Sequence, residues 1–164
     1  MRVGQGFDAH RFSEDPTRRL VLGGVHVEGA PGLAGHSDAD ALSHALADAL
    51  LGAAGLGDLG TWFPDTDPAW RGADSLRLLG EVMAKLAAAG FRAVNADCTL
   101  VAEKPRLAAY VPAMGERLAA VLGAPVSVKV TRPEGMGALG RAEGIVALAV
   151  VLVDDDPAQA GARR

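Results

Sequence analysis

Apolar positions along the chain change their spacing several times, and each change marks an element. A strand opens the chain from about Arg2 to His10. Arg19-Leu-Val-Leu, then Gly-Gly, then Val-His-Val predicts a short hairpin with a Gly-Gly turn. Leu33 to His36 follows as a loop. Ala41, Leu42, Ala45, Leu46, Ala49 and Leu50 recur with helical period. They predict a first helix starting near Ser37, whose hydroxyl caps it with Asp40 as the capping-box partner, and running to Gly52. A second helix is expected from Asp74 or Ser75 to Ala89, closed by Gly90. Phe91 to Ala102 alternates as a strand, and Arg106 to Leu122 forms a third helix ending at Gly123. Strands follow at Val126 to Thr131 and Gly144 to Val153, the latter apolar enough to be central. This order predicts an α+β fold, a two-layer sandwich with three helices on one face of a mixed β-sheet.

Composition narrows the class. At 164 residues, 49% apolar and 22% charged, the chain reads as one globular domain over 1–153. The tail, 154–164, is expected to be disordered. No apolar run approaches the roughly 20 residues needed to cross a bilayer. The start, Met1-Arg-Val-Gly-Gln-Gly, lacks the apolar stretch of a secretory signal, so a cytoplasmic location is expected. The net charge of −4, without a basic stripe, argues against a nucleic-acid partner. Cys98 is the one cysteine and reads as a small buried apolar residue.

Against that background two stretches stand out, Asp8-Ala-His10 and His36-Ser-Asp-Ala-Asp40-Ala-Leu-Ser-His44. They hold three of the four histidines, each beside carboxylates. Imidazole nitrogen plus carboxylate oxygen is the ligand chemistry of a catalytic zinc site with one position left open. Asp8 and His10 share a strand face, and His44 would come from a second element. Asp40 and Asp48 lie four residues either side of His44, in one helical column, and either carboxylate can orient its imidazole from behind. Capping and dipole complementarity account for Asp40 equally well. A structural histidine is the bland reading, accepted for His26; for the triad the residues alone leave both readings open.

Two further segments carry candidate chemistry. Gly57-Asp58-Leu-Gly60 through Phe63-Pro-Asp65-Thr-Asp67 is a long loop whose small residues admit a ligand close to the backbone. Turn chemistry with solvated carboxylates explains it as simply. Lys129-Val-Thr131-Arg132-Pro-Glu134-Gly-Met-Gly137-Ala-Leu-Gly140-Arg141 has the composition of an anion-cradling loop, with Glu134 suited to a harder cation such as Mg²⁺. A glycine-rich surface hairpin is its bland alternative. The segment lacks the Walker pattern.

Taken together, the motifs resemble the 2-C-methyl-D-erythritol 2,4-cyclodiphosphate synthase family of the non-mevalonate isoprenoid pathway. The resemblance spans Arg2 to Val153. It rests on Gly4-x-Gly6-x-Asp8-x-His10, His36-Ser-Asp-x-Asp40-x3-His44, Asp48-Ala-Leu-Leu-Gly, Gly57-Asp58-Leu-Gly60, Phe63-Pro-Asp65-Thr-Asp67, Asn95-x-Asp97 and Gly140-Arg141-x-Glu143-Gly144. It implies zinc on Asp8, His10 and His44, and Mg²⁺ or Mn²⁺ on Glu134 between the α- and β-phosphates of a CDP-linked substrate. It implies that His36 and Ser37 lie near the methylerythritol phosphate, and that Asp58, Gly60, Phe63 and Asp65 flank the erythritol. Ala102 to Leu107, with Lys104 and Arg106, would form the cytosine pocket, and Thr131 would bind phosphate. It further implies a homotrimer with sites between subunits, and a central channel lined by Phe7, Arg141 and Glu143. Two departures stand out: Thr131-Arg132-Pro-Glu134 replaces the usual Thr-Thr-x-Glu, and Lys104-Pro105-Arg106 replaces the common Pro-Lys.

The implied reaction is intramolecular. The 2-phosphate of 4-diphosphocytidyl-2-C-methyl-D-erythritol 2-phosphate attacks the β-phosphorus, expels CMP and closes a cyclic diphosphate. A zinc-dependent phosphodiesterase acting on a CDP-alcohol is the alternative that the same ligands would serve.

Overall fold

The computed structural model describes residues 1–156. Six strands and five α-helical segments form two layers: β1 (Arg2–Arg11), β2 (Arg19–Leu22), β3 (Val25–Pro31), α1 (Ala41–Ala54), α2 (Leu59–Trp62), α3 (Ser75–Ala88), β4 (Phe91–Val101), α4 (Val111–Leu122), β5 (Val126–Thr131), α5 (Gly137–Gly140) and β6 (Gly144–Asp155). Two 3₁₀ turns, Pro68–Trp70 and Ala108–Tyr110, lie between them. The main sheet runs β1-β6-β4-β5, with β4 and β5 parallel and the other pairs antiparallel. This is the expected mixed sheet, and β6 is central as its apolar run predicts. Ile145, Ala147, Ala149, Val151 and Val153 of β6 face the core in strict alternation. The β2–β3 hairpin forms its own two-stranded sheet.

The three long helices, α1, α3 and α4, pack on one face of the sheet. Helix α1 is buried on nearly every side; along it only His44 and Asp48, besides Gly52, escape full burial. An amphipathic stripe is therefore the wrong picture for α1, which is a central helix wrapped by β1, β6 and α3. Among the described residues the opposite sheet face carries no helix, and Val3, Phe7 and Val150 stand exposed on it.

Four boundaries differ clearly from expectation. Helix α1 begins at Ala41, because Ala39 takes the left-handed φ of 58° and no helix can pass through it. Its cap is therefore Asp40, whose carboxylate accepts the N–H groups of Leu42 and Ser43, and Ser37 does not cap it. The helix runs through Gly52 and stops at Gly55, which adopts φ 71°. Arg106 and Leu107 precede the third helix instead of opening it; Pro112 sits in the first turn of α4. Finally, Asp154 and Asp155 continue β6, and Asp154 pairs with the amino terminus at 3.0 Å. The expected tail thus starts later than Asp154, and its part from 157 onward lies outside the described residues.

Candidate active site

Glycine places the site. On β1, Gly4, Gly6, Asp8 and His10 all face α1. A Cβ at Gly6 would lie 1.8 Å from the Ala45 carbonyl oxygen, and one at Gly4 would lie 1.9 Å from that of Ala49. The helix backbone therefore rests directly on the strand, an approach only glycine permits. His44, beside Ala45, is carried down to the strand residues just beyond. Its Nδ1 stands 3.2 Å from Asp8 Oδ2, and His10 Nε2 stands 2.9 Å from the same oxygen. Ligand atoms of Asp8, His10 and His44 all lie within 4.8 Å of one another, close enough to share one metal ion.

The surroundings fix which nitrogens face that point. His10 Nδ1 lies 2.7 Å from the Ala34 carbonyl oxygen, which only accepts, so Nδ1 carries hydrogen and Nε2 faces Asp8. His44 Nε2 lies 2.9 Å from Ser75 Oγ and 3.2 Å from Ser37 Oγ. Ser75 gives its own hydrogen to Asp38 in a short bond, so its oxygen is left to accept from His44 Nε2–H. Nδ1 is thereby the nitrogen left facing Asp8. Both imidazoles are held from behind in the arrangement that metal-ligating histidines use.

The electrostatics follow from the same contacts. Burial alone would raise the Asp8 carboxyl, yet the hydrogen bonds and charges of His10 and His44 outweigh it and hold it far below the usual range. The hydrogen bond to Asp8 raises His10, against the opposing pull of burial. Burial raises Asp38, although bonds from Ser75 oppose it. Burial likewise raises Asp48.

The carboxylate behind His44 is therefore Asp38, acting through Ser75, and neither member of the Asp40–Asp48 column takes that role. Asp40 is wholly buried and spent on Gly23 N, Gly24 N, Leu42 N, Ser43 N and Ser43 Oγ. Asp48 accepts the Leu59 N–H at 2.7 Å and so ties α1 to α2. Neither hydrogen-bonds His44.

The triad opens into a cleft of about 390 Å³ that His36, Ser37, Gly60, Phe63 and Asp65 also line. The long loop is more structured than expected. Asp58 caps α2 through Thr61 N and Oγ1, both at 2.7 Å, and is not among the residues lining this cleft. Phe63 and Trp70 meet edge to face with centroids 4.9 Å apart. His36 Nε2 donates to the Asp67 carbonyl at 3.2 Å, which stitches the loop to the metal-side turn.

A second cleft, about 370 Å³, brings together Ala102, Arg106, Leu107, Thr131, Arg132 and Glu134. Lys104 lines the neighbouring depression with Phe12 and Pro31 instead. Arg132 turns to Glu103, and Glu134 takes φ 51°. Arg141 pairs with Glu143 at 2.7 Å on the surface, and Phe7 lies on the uncovered sheet face, 56% exposed.

The two clefts share an end of the sheet but not an edge. Ala9, Val146, Val101 and Thr131 form one cross-strand row. From β1 to β5 that row takes three inter-strand steps, roughly 14 Å in all.

Sequence reasoning missed Ser75 and Asp38 as the groups behind His44. Ser75 read only as a helix start, and its partner His44 is 31 residues away. Asp38 is half-buried and lay inside a quoted motif, but its part emerges only once the fold sets it against Ser75.

Comparison with known proteins accords with this geometry. The YgbB family model matches residues 1–154. A 2-C-methyl-D-erythritol 2,4-cyclodiphosphate synthase of Symbiobacterium thermophilum is 58% identical over 156 residues, covering 93% of this chain and 98% of the relative. One from Moorella thermoacetica is 56% identical over 164 residues, covering 98% and 99%. A solved 2C-methyl-D-erythritol-2,4-cyclodiphosphate synthase in a CDP-bound form superimposes with TM-score 0.84 at 39% identity, covering 93% of this chain and 100% of that one. With glycines, triad and both clefts in place across a match of this extent, the chain belongs to the YgbB family of 2-C-methyl-D-erythritol 2,4-cyclodiphosphate synthases.

Proposed function

We propose that this chain closes 4-diphosphocytidyl-2-C-methyl-D-erythritol 2-phosphate to the 2,4-cyclodiphosphate with release of CMP. The observation that carries the reading is the Asp8–His10–His44 cluster, in a cleft that the loop residues Gly60, Phe63 and Asp65 also line. The reacting groups belong to one molecule. An oxygen of the 2-phosphate bonds to the β-phosphorus as the bond from that phosphorus to the bridging oxygen breaks, and CMP leaves with the electron pair. The attacking group is already a phosphate anion, so the chain needs no general base. Its tasks are to fold the substrate in line and to offset charge repulsion.

Zinc suits the triad. Ligands on a tetrahedral ion with bonds of roughly 2.0–2.1 Å stand about 3.3 Å apart, and the donor separations here are 2.9 and 3.2 Å. Zinc there, with Mg²⁺ or Mn²⁺ on Glu134, would withdraw charge from the phosphates when bound. Asp8, His10 and His44 hold the first ion; Ser75 and Ser37 keep His44 turned. His36 and Ser37 lie at the lip where a phosphate would rest, and Gly60, Phe63 and Asp65 bound the erythritol. Ala102 to Leu107 offers backbone groups to a pyrimidine, while Thr131 faces the diphosphate.

The roughly 14 Å between the edges bearing the clefts, and the apolar Val3, Phe7 and Val150 on an uncovered sheet face, support a homotrimer whose sites join one subunit's metal cleft to a neighbour's base cleft. Phe7, Arg141 and Glu143 would then line its axis. No described helix is long and apolar enough to cross a membrane.

The test is direct. Pure protein with zinc and Mg²⁺ should convert the CDP-linked substrate to CMP and the cyclic diphosphate, followed by ³¹P NMR. In ¹⁸O water the product should stay unlabelled; label in the product would mean hydrolysis and sink the reading.

A further inference from the structure

The turn that carries Glu134 is tied to the opposite wall of its cleft through a side chain with no part in the proposed chemistry. Glu103 follows β4, and its side chain is 12% exposed. One of its oxygens accepts Nε of Arg132 at 3.1 Å together with the adjacent NH2 group; the other accepts the Gly135 N–H at 3.1 Å. These partners stand immediately around Glu134, two residues before it and one after. A planar guanidinium held by two prongs is fixed in orientation as well as distance. Glu134 itself takes the left-handed φ of 51°, and its carboxylate makes no hydrogen bond among the described residues. Only the charge of the neighbouring Arg132 acts on it among the described residues.

The other bond joining the two walls, from Ala102 N to the Thr131 carbonyl at 3.1 Å, lies where the β4–β5 ladder ends. It cannot orient the turn beyond. From these contacts we propose that Glu103 is a positioning residue. By gripping Arg132 and Gly135 it sets the Glu134 carboxylate against the wall Ala102 to Leu107, and so sets the affinity for a divalent cation carried by a nucleoside diphosphate. Arg132 in this chain thus serves the protein's own turn. The proposal rests on the reading of Glu134 as the ligand of that cation.

Mn²⁺ binding to the zinc-loaded full chain with CDP present, read as loss of the free-ion EPR signal, tests it. Glu103→Gln should raise the Mn²⁺ dissociation constant about tenfold, the worth of a charge-assisted hydrogen bond. Zinc content should stay at the wild-type level. Arg132→Lys, which keeps the charge and loses the fork, should give a smaller rise in the same direction. Glu134→Gln should abolish the binding. Were Glu103→Gln to stay within about twofold of wild type while Glu134→Gln lost Mn²⁺, the proposal would fall and the Glu134 reading would stand. Wild-type binding in both variants would overturn the Glu134 reading and the proposal together. Loss in Glu103→Gln alone would make Glu103 the ligand, which also overturns the proposal.

Discussion

Replacing Gly6 by Ala should uncouple the metal cluster while leaving the fold recognisable. The new Cβ would fall 1.8 Å from the Ala45 carbonyl oxygen. An ordinary contact needs roughly 3.5 Å, so about 1.7 Å of separation must be found. Both partners are backbone, so no rotamer can supply it, and α1 must lift from β1. Overpacking of this kind costs about 3 kcal/mol, the upper end of the usual range. The same lift draws His44 from Asp8, now 3.2 Å apart, and metal ligand distances tolerate only about 0.2 Å. Gly4→Ala is the control. Its clash is equal, 1.9 Å against the Ala49 oxygen, but lies over a turn further along the helix from His44. Melting in EDTA should show the two variants similarly destabilised, whereas zinc titration against a chromophoric chelator should show the larger loss in Gly6→Ala. Wild-type zinc affinity in Gly6→Ala would refute the claim that glycine-mediated contact sets the ligand geometry.

Other outcomes follow from the site's contacts. Ser75→Ala removes the hydroxyl behind His44 and should weaken zinc binding about 10- to 100-fold by chelator competition, with Asp38→Asn in the same direction. The apo protein's His10–Asp8 pair is complete below the ordinary imidazole value of 6.5 and is lost as pH rises through the raised value of His10. Asp8, held low, keeps its contribution above 3.8 and loses it only as pH falls through its depressed value. Zinc must displace the His10 proton, so the rise in melting temperature on adding zinc should grow between about pH 6 and pH 8; a flat difference would contradict this. Cys98, pushed up to about 12 by burial, should resist thiol reagents until the protein unfolds. The proposed homotrimer predicts that Val150→Lys, on the exposed sheet face, sediments as a monomer with cyclase activity lost alongside, where the wild type sediments as a trimer.

Much of this was legible in the sequence because it depends on periodicity or on near neighbours. The alternation of β4 and β6, the helical spacing of α1 and the shared face of Asp8 and His10 are properties of a few consecutive residues. What escaped depends on distant ones. The start of α1 is decided by Ala39, whose left-handed turn is stabilised by the Ser37 hydroxyl on its N–H and by Asp38 on the next one. That conformation is unusual for alanine and invisible to propensity. Ser75 reads as an ordinary helix start until the fold sets it against His44. The Asp40–His44–Asp48 column misled because helical spacing reports which residues share a face, and here the competing partners Gly23, Gly24 and Leu59 come from other segments.

Asp40 has a consequence for motion. One buried carboxylate accepts from the Gly-Gly turn of the hairpin and from the first turn of α1, bridging residues 17 apart. It acts as a noncovalent staple, and either half can open only by stranding a charge among apolar side chains. The hairpin turn and the helix that bears His44 should therefore unfold as one cooperative unit. In native-state hydrogen exchange the amides of Gly23, Gly24, Leu42 and Ser43 would share a single opening free energy, although the hairpin alone is too small to be stable.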